Sequence, residues 1–297
     1  MTSPAPLPRV AFQGERGAFS EEAAVKLLGE EIELVPRATF DLLYSSIAEG
    51  VADFILAPIE NSLAGSVHRS YDLLLESRLH IKREIIRPIS HYLIGLPGSS
   101  LESITQVQSH PVALAQCERF FAEHPWIRRI ATEDTAGSVR DIMQAGDPSH
   151  AAIAGRRAAH VYRATILLDR LEDHYDNYTR FLLLSPDAAV PQGADKISLV
   201  VRLAHKPGTL HDALGVFAWR DLNLLKIESR PIPGCPWQYR FYLDIHASIA
   251  DPRTVGALAE IKNFVDEVTI LGCYPQAPPL EADAIARAQS RQAGAVS

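Results

Sequence analysis

Two polar clusters sit at the ends of apolar runs. "DNYTRFLLLSP", residues 176–186, puts Asn177, Thr179 and Arg180 directly before Phe181-Leu182-Leu183-Leu184. "PIENSLAGS" puts Glu60-Asn61-Ser62 directly after the apolar stretch "FILA". A primary amide donates and accepts, a hydroxyl does both, and a guanidinium pairs with carboxylates. Together they suit a small substrate carrying carboxylate and hydroxyl groups. The same residues also build ordinary local structure: an Asx-turn at Asn61 and a loop end at Thr179-Arg180. From these stretches alone both readings stand.

Two more segments belong with them. In "QGERGAFS", Gly14 and Gly17 allow tight turns, and the helix that follows offers free N–H groups to an anion. A plain strand-to-helix turn explains the stretch equally well. In "QSHPVALAQCERF", Pro111 suits a first helical turn, which places Ser109 at the end that attracts anions. Gln116 leans back toward that end, so the two could reach one ligand, although capping alone accounts for Ser109. His68 and His110 titrate near neutrality, but a lone histidine is usually a satisfied polar residue. Trp126 and the pair Phe120-Phe121 read as core, and Glu133-Asp134 before "TAGSV" reads as a helix start.

The elements that must position these residues follow a pattern. "RVAFQG", "IELVPRA", "FILAPIE", "HYLIGLPG", "ITQVQS", "IRRIAT" and "HAAIAG" are strand-like, with helical stretches such as Ser20–Gly29, capped by Ser20, and Thr39–Glu49 among them. This alternation argues for parallel or mixed sheets covered by helices, with ligands at the carboxyl ends of strands. It ends near Leu184. "SPDAAVPQGAD", residues 185–195, reads as a linker. Beyond it the order is strand "KISLVVRLA", helix "GTLHDALGVFAWRD", strands "LNLLKIESRPI" and "QYRFYLDIHA", a helix starting at Asp251-Pro252, and strand "VTILGCY". That βαββαβ order is the ferredoxin-like unit. The domains expected are 1–185, 195–275 and a tail over 276–297.

Whole-chain properties narrow the function classes. Hydrophobic residues make up 47% of the 297, charged residues 22%, and the net charge is −7. An acidic balance disfavours a nucleic-acid partner, and no apolar run approaches the ~20 residues that span a bilayer. The N-terminus has no secretory pattern, and three scattered cysteines, Cys117, Cys235 and Cys273, fit a reducing cytoplasm. No metal or nucleotide motif is present, so no metal and no cofactor are expected.

In this order, "VAFQGERGAFSEEAA", "PIENSLAGSV", "SHPVALAQCE" and "DNYTRFLLL" resemble the prephenate dehydratase family. "KPGTL" and "KIESRPIPG" resemble its C-terminal ACT regulatory domain. The resemblance runs from about Val10 to Tyr274, and with no room ahead of Val10 for a fused chorismate mutase it points to the monofunctional form. It implies an α/β catalytic domain built like type 2 periplasmic binding proteins, two lobes around a cleft, then an α+β ACT domain. It implies that Thr179 is the key catalytic residue, joined by Asn61, Ser109, Gln116 and Arg180, with Phe181, Glu60, Ser62 and Gly17 lining the substrate. The reaction implied is loss of carbon dioxide and water from prephenate to give phenylpyruvate, without a cofactor because aromatisation drives it. Arogenate, the aminated substrate, and a non-catalytic amino-acid sensor are the alternatives. The ACT resemblance implies that Gly208, Thr209 and Leu210 at a helix start and Glu228, Ser229, Arg230 and Pro231 at a strand end hold L-phenylalanine, in a homodimer or homotetramer. The chain departs from the ACT motif at His211, where an aliphatic residue is usual, which bears on the strength of that binding.

Overall fold

The computed structural model describes residues 6–278. Along the chain the first elements are β1 (Arg9–Gln13), α1 (Phe19–Leu28), β2 (Glu33–Arg37), α2 (Phe40–Ala48), β3 (Phe54–Asn61), β4 (Gly65–Ser66), α3 (His68–Ser77) and β5 (His80–Pro88). Then come β6 (Tyr92–Gly95), β7 (Gln106–Ser109), α4 (Pro111–Ala115), α5 (Glu118–Glu123), β8 (Arg128–Ala131), α6 (Thr135–Ala145), β9 (His150–Ala154), α7 (Arg156–Tyr162), β10 (Thr165–Leu168) and β11 (Tyr178–Ser185). One sheet has the order β2-β1-β3-β11-β5, with β4 on β3, and the other β10-β6-β9-β7-β8. Parallel pairs β1/β2, β1/β3, β7/β8 and β7/β9 and antiparallel pairs β6/β9 and β6/β10 make both sheets what the alternation predicts. This is the two-lobed α/β architecture of type 2 periplasmic binding proteins.

Chain order also fixes how the lobes are joined. The first five strands lie in one sheet, β6 to β10 in the other, and β11 returns to the first. The backbone therefore crosses twice, through residues 89–91 and 169–177. The crossings are tied together: Ile89 N–H donates to Asn177 O at 2.8 Å and Leu171 N–H to His91 O at 2.8 Å. Between the lobes, Phe12 of β1 packs with Ala136, Val139 and Ala158 of the second lobe.

Local signals place most helix starts. Thr39 caps α2 by accepting from Leu42 N–H, and Asp134 caps α6 by accepting from Gly137 N–H, as its charge pair suggests. Two expectations change. Helix α1 begins at Phe19 with Ala18 as its N-cap, so Ser20 lies inside the helix, buried, and does not cap it. Phe120 and Phe121 are core, but Trp126 is 57% exposed, with its ring edge-on to that of His124.

The described residues divide into two compact units, with boundaries inside β5 and β11. The first holds residues 6–73 and 85–181. The second holds Leu74–Glu84 and Leu182–Pro278. It contains β12 (Lys196–Arg202), α8 (Thr209–Ala218), β13 (Asn223–Ile232), β14 (Cys235–His246), α9 (Pro252–Glu260) and β15 (Glu267–Tyr274). The sheet order β13-β14-β12-β15 is that of the expected βαββαβ unit. Its core gathers Ile197, Leu199, Val201, Val216, Phe217, Leu243 and Ile245. Asp251 caps α9 by accepting from Arg253 N–H at 2.8 Å, with Pro252 in the first turn. The tail expected from 276 onward begins anchored: Gln276 N–H donates to Asp195 and Ala277 N–H to Glu84. Residues 279–297 of that tail lie outside the described residues.

A buried charge cluster joins the segment Leu74–Glu84 to this sheet. Lys196 Nζ lies 3.0 and 3.2 Å from the Glu84 carboxylate and 3.7 Å from Asp244 Oδ2, with all three side chains under 10% exposed. Ser198 donates to Asp244, and the Tyr274 hydroxyl lies 2.6 Å from Ser198 Oγ. Lys196 answers two buried carboxylates. Lys196→Met removes that cation from both and should cost on the order of 3–5 kcal/mol, read as a lowered urea midpoint.

Candidate active site

The residues of the two polar clusters meet, although they lie more than a hundred positions apart. Asn61 ends β3, and its Oδ1 accepts from the backbone N–H groups of Leu63 (3.0 Å) and Ala64 (2.8 Å). This is the Asx-turn that the sequence allows. It also fixes the amide, because an oxygen held by two backbone donors cannot exchange places with the nitrogen. Asn61 Nδ2 then faces Asn177 Oδ1 at 2.7 Å, Thr179 Oγ1 at 2.9 Å and Tyr178 O at 3.1 Å. Turn and site are one arrangement rather than alternatives.

Thr179 is near the start of β11, whose residues from Thr179 to Ser185 are all buried. Its Oγ1 accepts from Asn61, and its own O–H has no acceptor among the described residues. The next residue, Arg180, is also buried, and its guanidinium bonds Glu60 Oε1 at 3.0 Å. It stands as half of a sequestered ion pair, its charge answered by Glu60. Phe181 is 1% exposed and part of the core. Ser62 Oγ donates to Asp176 O at 2.7 Å and accepts from Tyr178 N–H at 2.8 Å, clamping the segment that leads into β11.

On the second lobe the arrangement differs from expectation. Helix α4 is only five residues long and Gln116 is its C-cap; His110, not Ser109, caps it, accepting from Val112 N–H. Ser109 is fully buried and donates to Ile153 O at 2.6 Å, which ties β7 to β9. Ser109 and Gln116 therefore do not converge on one ligand. Gln116 points elsewhere: its Oε1 accepts from Asn177 Nδ2 at 3.0 Å and lies 2.8 Å from His91 Nε2. Nothing in the residues around it marks His91, and Asn177 shows only as one member of a polar cluster.

Gly17 also has a structural task here. Its φ is +87°, and a Cβ would lie 2.7 Å from Ala158 Cα, so glycine allows α1 and α7 to meet across the lobes. Its N–H donates to Glu21 Oε2 at 2.9 Å. The fully buried Glu21 carboxylate also pairs with Arg16 (2.9 Å) and Arg157 (2.8 Å). The start of α1 thus draws its anion from its own first turn. Among the described residues no group of three or more His, Cys, Asp or Glu side chains is placed to hold a metal ion.

His91 is 2% exposed and sits on the first crossing. Its backbone N–H donates to Glu172 Oε2 at 2.8 Å, and Phe19 meets its ring edge-on. Burial pushes the imidazole below its ordinary value near 6.5, against the opposing pulls of Gln116 and Glu172. The unfolded chain takes up this proton as pH falls below about 6.5, while the folded protein does not. Stability from this group is thus full above that pH and is lost as pH falls toward the folded value. His91→Gln should make urea midpoints less sensitive to acidification below about pH 6.5.

Similarity to known proteins identifies the family. The prephenate dehydratase family model matches residues 10–189. Arogenate dehydratase/prephenate dehydratase 1, chloroplastic, of Arabidopsis thaliana is 41% identical over 283 residues, covering 90% of this chain and 72% of the relative. The solved prephenate dehydratase of Arthrobacter aurescens, in complex with L-Phe, superposes with a TM-score of 0.83 at 31% identity, over 97% of this chain and 99% of that one. GqqA, described as a novel type of quorum-quenching acylase, also gives 0.83, at 32% identity, over 91% and 98%. On the family match and these identities together, the chain belongs to the prephenate dehydratase family.

Proposed function

We propose that this chain is a lyase that converts prephenate to phenylpyruvate. The carbon–carbon bond to the ring carboxylate breaks, and its electron pair enters the ring. The carbon–oxygen bond at the far ring carbon breaks, and hydroxide leaves with one proton as water. Carbon dioxide is the other product. Aromatisation provides the driving force, so the protein has three tasks: hold a dianion, assist a leaving hydroxyl and keep the departing carboxylate poorly solvated.

The observation that carries this reading is the Thr179 hydroxyl. Asn61 holds it from behind, which leaves its O–H to donate outward. A threonine hydroxyl is a weak acid in water; held and desolvated, it is suited to donate to the leaving oxygen as negative charge develops there. Gln116 Nε2 also has no acceptor among the described residues and serves as a second neutral donor. The Glu60–Arg180 pair stiffens the start of β11. Ser109, Ser62, Phe181 and Gly17 support these groups through the contacts described above. A cytoplasmic setting is part of this proposal. Among the described residues no helix is long and apolar enough to cross a membrane.

Arogenate is the second reading, favoured by the names of the plant relatives, among them Arogenate dehydratase 2 of Petunia hybrida at 42% identity. The two substrates differ only in the side chain remote from the leaving hydroxyl, so the same groups serve both. Side-by-side kcat/KM values decide which is preferred, and turnover of neither would refute the lyase reading. Thr179→Ser keeps the hydroxyl and should keep much of the turnover. Thr179→Val removes it at similar volume and should lose roughly two to four powers of ten in kcat, with a smaller change in binding of an unreactive analogue.

The second unit is proposed as an ACT domain that binds L-phenylalanine and lowers activity. The L-Phe complex of the Arthrobacter aurescens protein supports this. Gly208 is the left-handed N-cap of α8, φ +87°, and Thr209 folds its hydroxyl back onto Ala204 O and Lys206 O. The proposed ligand contacts are Gly208, Thr209 and Leu210 with Glu228, Ser229, Arg230 and Pro231, between two copies in a homodimer or homotetramer. On edge strand β13, Leu225 and Ile227 are 37% and 43% exposed, which suits burial against another copy. Calorimetric titration with L-phenylalanine should release or absorb heat and lower turnover. No heat at about 1 mM ligand, where even weak sites fill, would reduce this unit to an assembly element.

A further inference from the structure

We propose that Asn177 is a positioning residue that relays to Gln116 the hydrogen-bond direction fixed at Asn61, and so decides which group of Gln116 faces the substrate. This rests on the dehydratase reading of the site. Asn177 is 1% exposed, so it acts through its neighbours rather than on substrate.

The chain has one self-consistent direction. Leu63 and Ala64 N–H groups hold Asn61 Oδ1, which leaves Asn61 Nδ2 as donor. Asn177 must then present Oδ1 to Asn61, at 2.7 Å, and Nδ2 to Gln116, at 3.0 Å. Gln116 must in turn present Oε1, since its nitrogen there would set donor against donor. His91 is bound by the same rule: Nε2, 2.8 Å from that oxygen, carries the hydrogen. Its Nδ1 is then the acceptor, and it is buried without a partner. Turning over Asn177 or Gln116 would break two bonds, and turning over Asn61 would break more; at the buried Asn177 and His91 water cannot replace them, at about 1–3 kcal/mol for each group left unsatisfied. Backbone N–H groups cannot turn over, so the direction originates at Asn61.

The consequence falls at the two ends. Thr179 receives a hydrogen and is left to donate its own. Gln116 receives two and is left with its NH2. One free donor comes from each lobe, as a substrate with a leaving hydroxyl and two carboxylates requires. Asn177, on the second crossing, lies between them, and His91 guards the Gln116 orientation from the first. The crossings that join the lobes therefore also transmit the direction of the site's donors.

Asn177→Asp tests this at nearly constant shape. A carboxylate at this position cannot donate to Gln116, so the Gln116 amide should turn over, give its NH2 to that carboxylate and aim its carbonyl at the substrate. Hydrogen exchange of the side-chain amides, read by NMR on the substrate-free full chain, reports the direction without relying on catalysis. In the wild type the Asn177 NH2 should exchange slowly and the Gln116 NH2 fast, and the His91 ring should give the neutral Nε2–H signature. In Asn177→Asp the Gln116 NH2 should become slow, and kcat on the preferred substrate should fall by about 10²-fold with a smaller change in KM. Gln116→Glu keeps both incoming bonds but has no NH2, so it should lose activity while the slow Asn177 signal persists. A slow Gln116 NH2 or a fast Asn177 NH2 in active wild-type protein would overturn the proposal even if the aspartate variant fails to fold. Unchanged kcat in folded Asn177→Asp would do the same. A wild type inert toward both prephenate and arogenate would instead defeat the dehydratase reading on which the proposal stands.

Discussion

Two backbone N–H groups hold the Oδ1 of Asn61, and the hydrogen-bond chain of the proposed site takes its direction from that grip. Side-chain amides are nearly symmetric objects, and a network built only from them would have two orientations of similar energy. Anchoring one amide to the main chain removes that degeneracy. Asn61 then polarises Asn177 and Thr179, and Asn177 with His91 polarises Gln116. Because Asn177 and His91 are almost wholly buried, each misdirected group would forfeit a hydrogen bond without water to replace it.

The lobes are arranged to keep that network in register. Gly17 and Ala158 approach at backbone distance, and Glu21 is shared between Arg16 beside it and Arg157 across the lobes. A buried carboxylate is tolerable when it is fully paired, and here two guanidinium groups and the Gly17 N–H satisfy it. Two members of the polar chain, His91 and Asn177, lie on the two crossings, the place that any relative movement of the lobes must pass through. A hinge and an orientation device made of the same residues would couple lobe position to donor direction.

Charge is used locally in this acidic protein. Arg180 follows Thr179 on β11 and is paired with Glu60, so in the proposed site the groups offered to an anion are neutral donors. Neutral donors cost less to desolvate than an unpaired guanidinium and still bind oxygen strongly in a dry cleft. This fits a substrate that must shed a carboxylate as carbon dioxide. A strong unpaired cation would stabilise the charged ground state that the reaction has to lose.

Much of the architecture was legible in the residues alone. Strand periodicity, the Asp134 and Asp251 caps and the βαββαβ order are local patterns, written within a few positions of where they act. The motifs around Asn61 and Thr179 were legible for the same reason. Other features were decided only when distant segments met. Ser109 looked like a helix cap and instead donates to Ile153, 44 positions away. Trp126 looked like core, as Phe120 and Phe121 did, yet it is exposed while those two are buried. His91 had no local mark, since its partner Gln116 is 25 residues distant, and Asn177 reaches Asn61 across 116. Sequence by itself determined which chemical groups the protein owns and the elements that carry them. The tertiary structure decided which way each group points, because a hydrogen bond's direction is set by its partner, and here the partners come from distant segments.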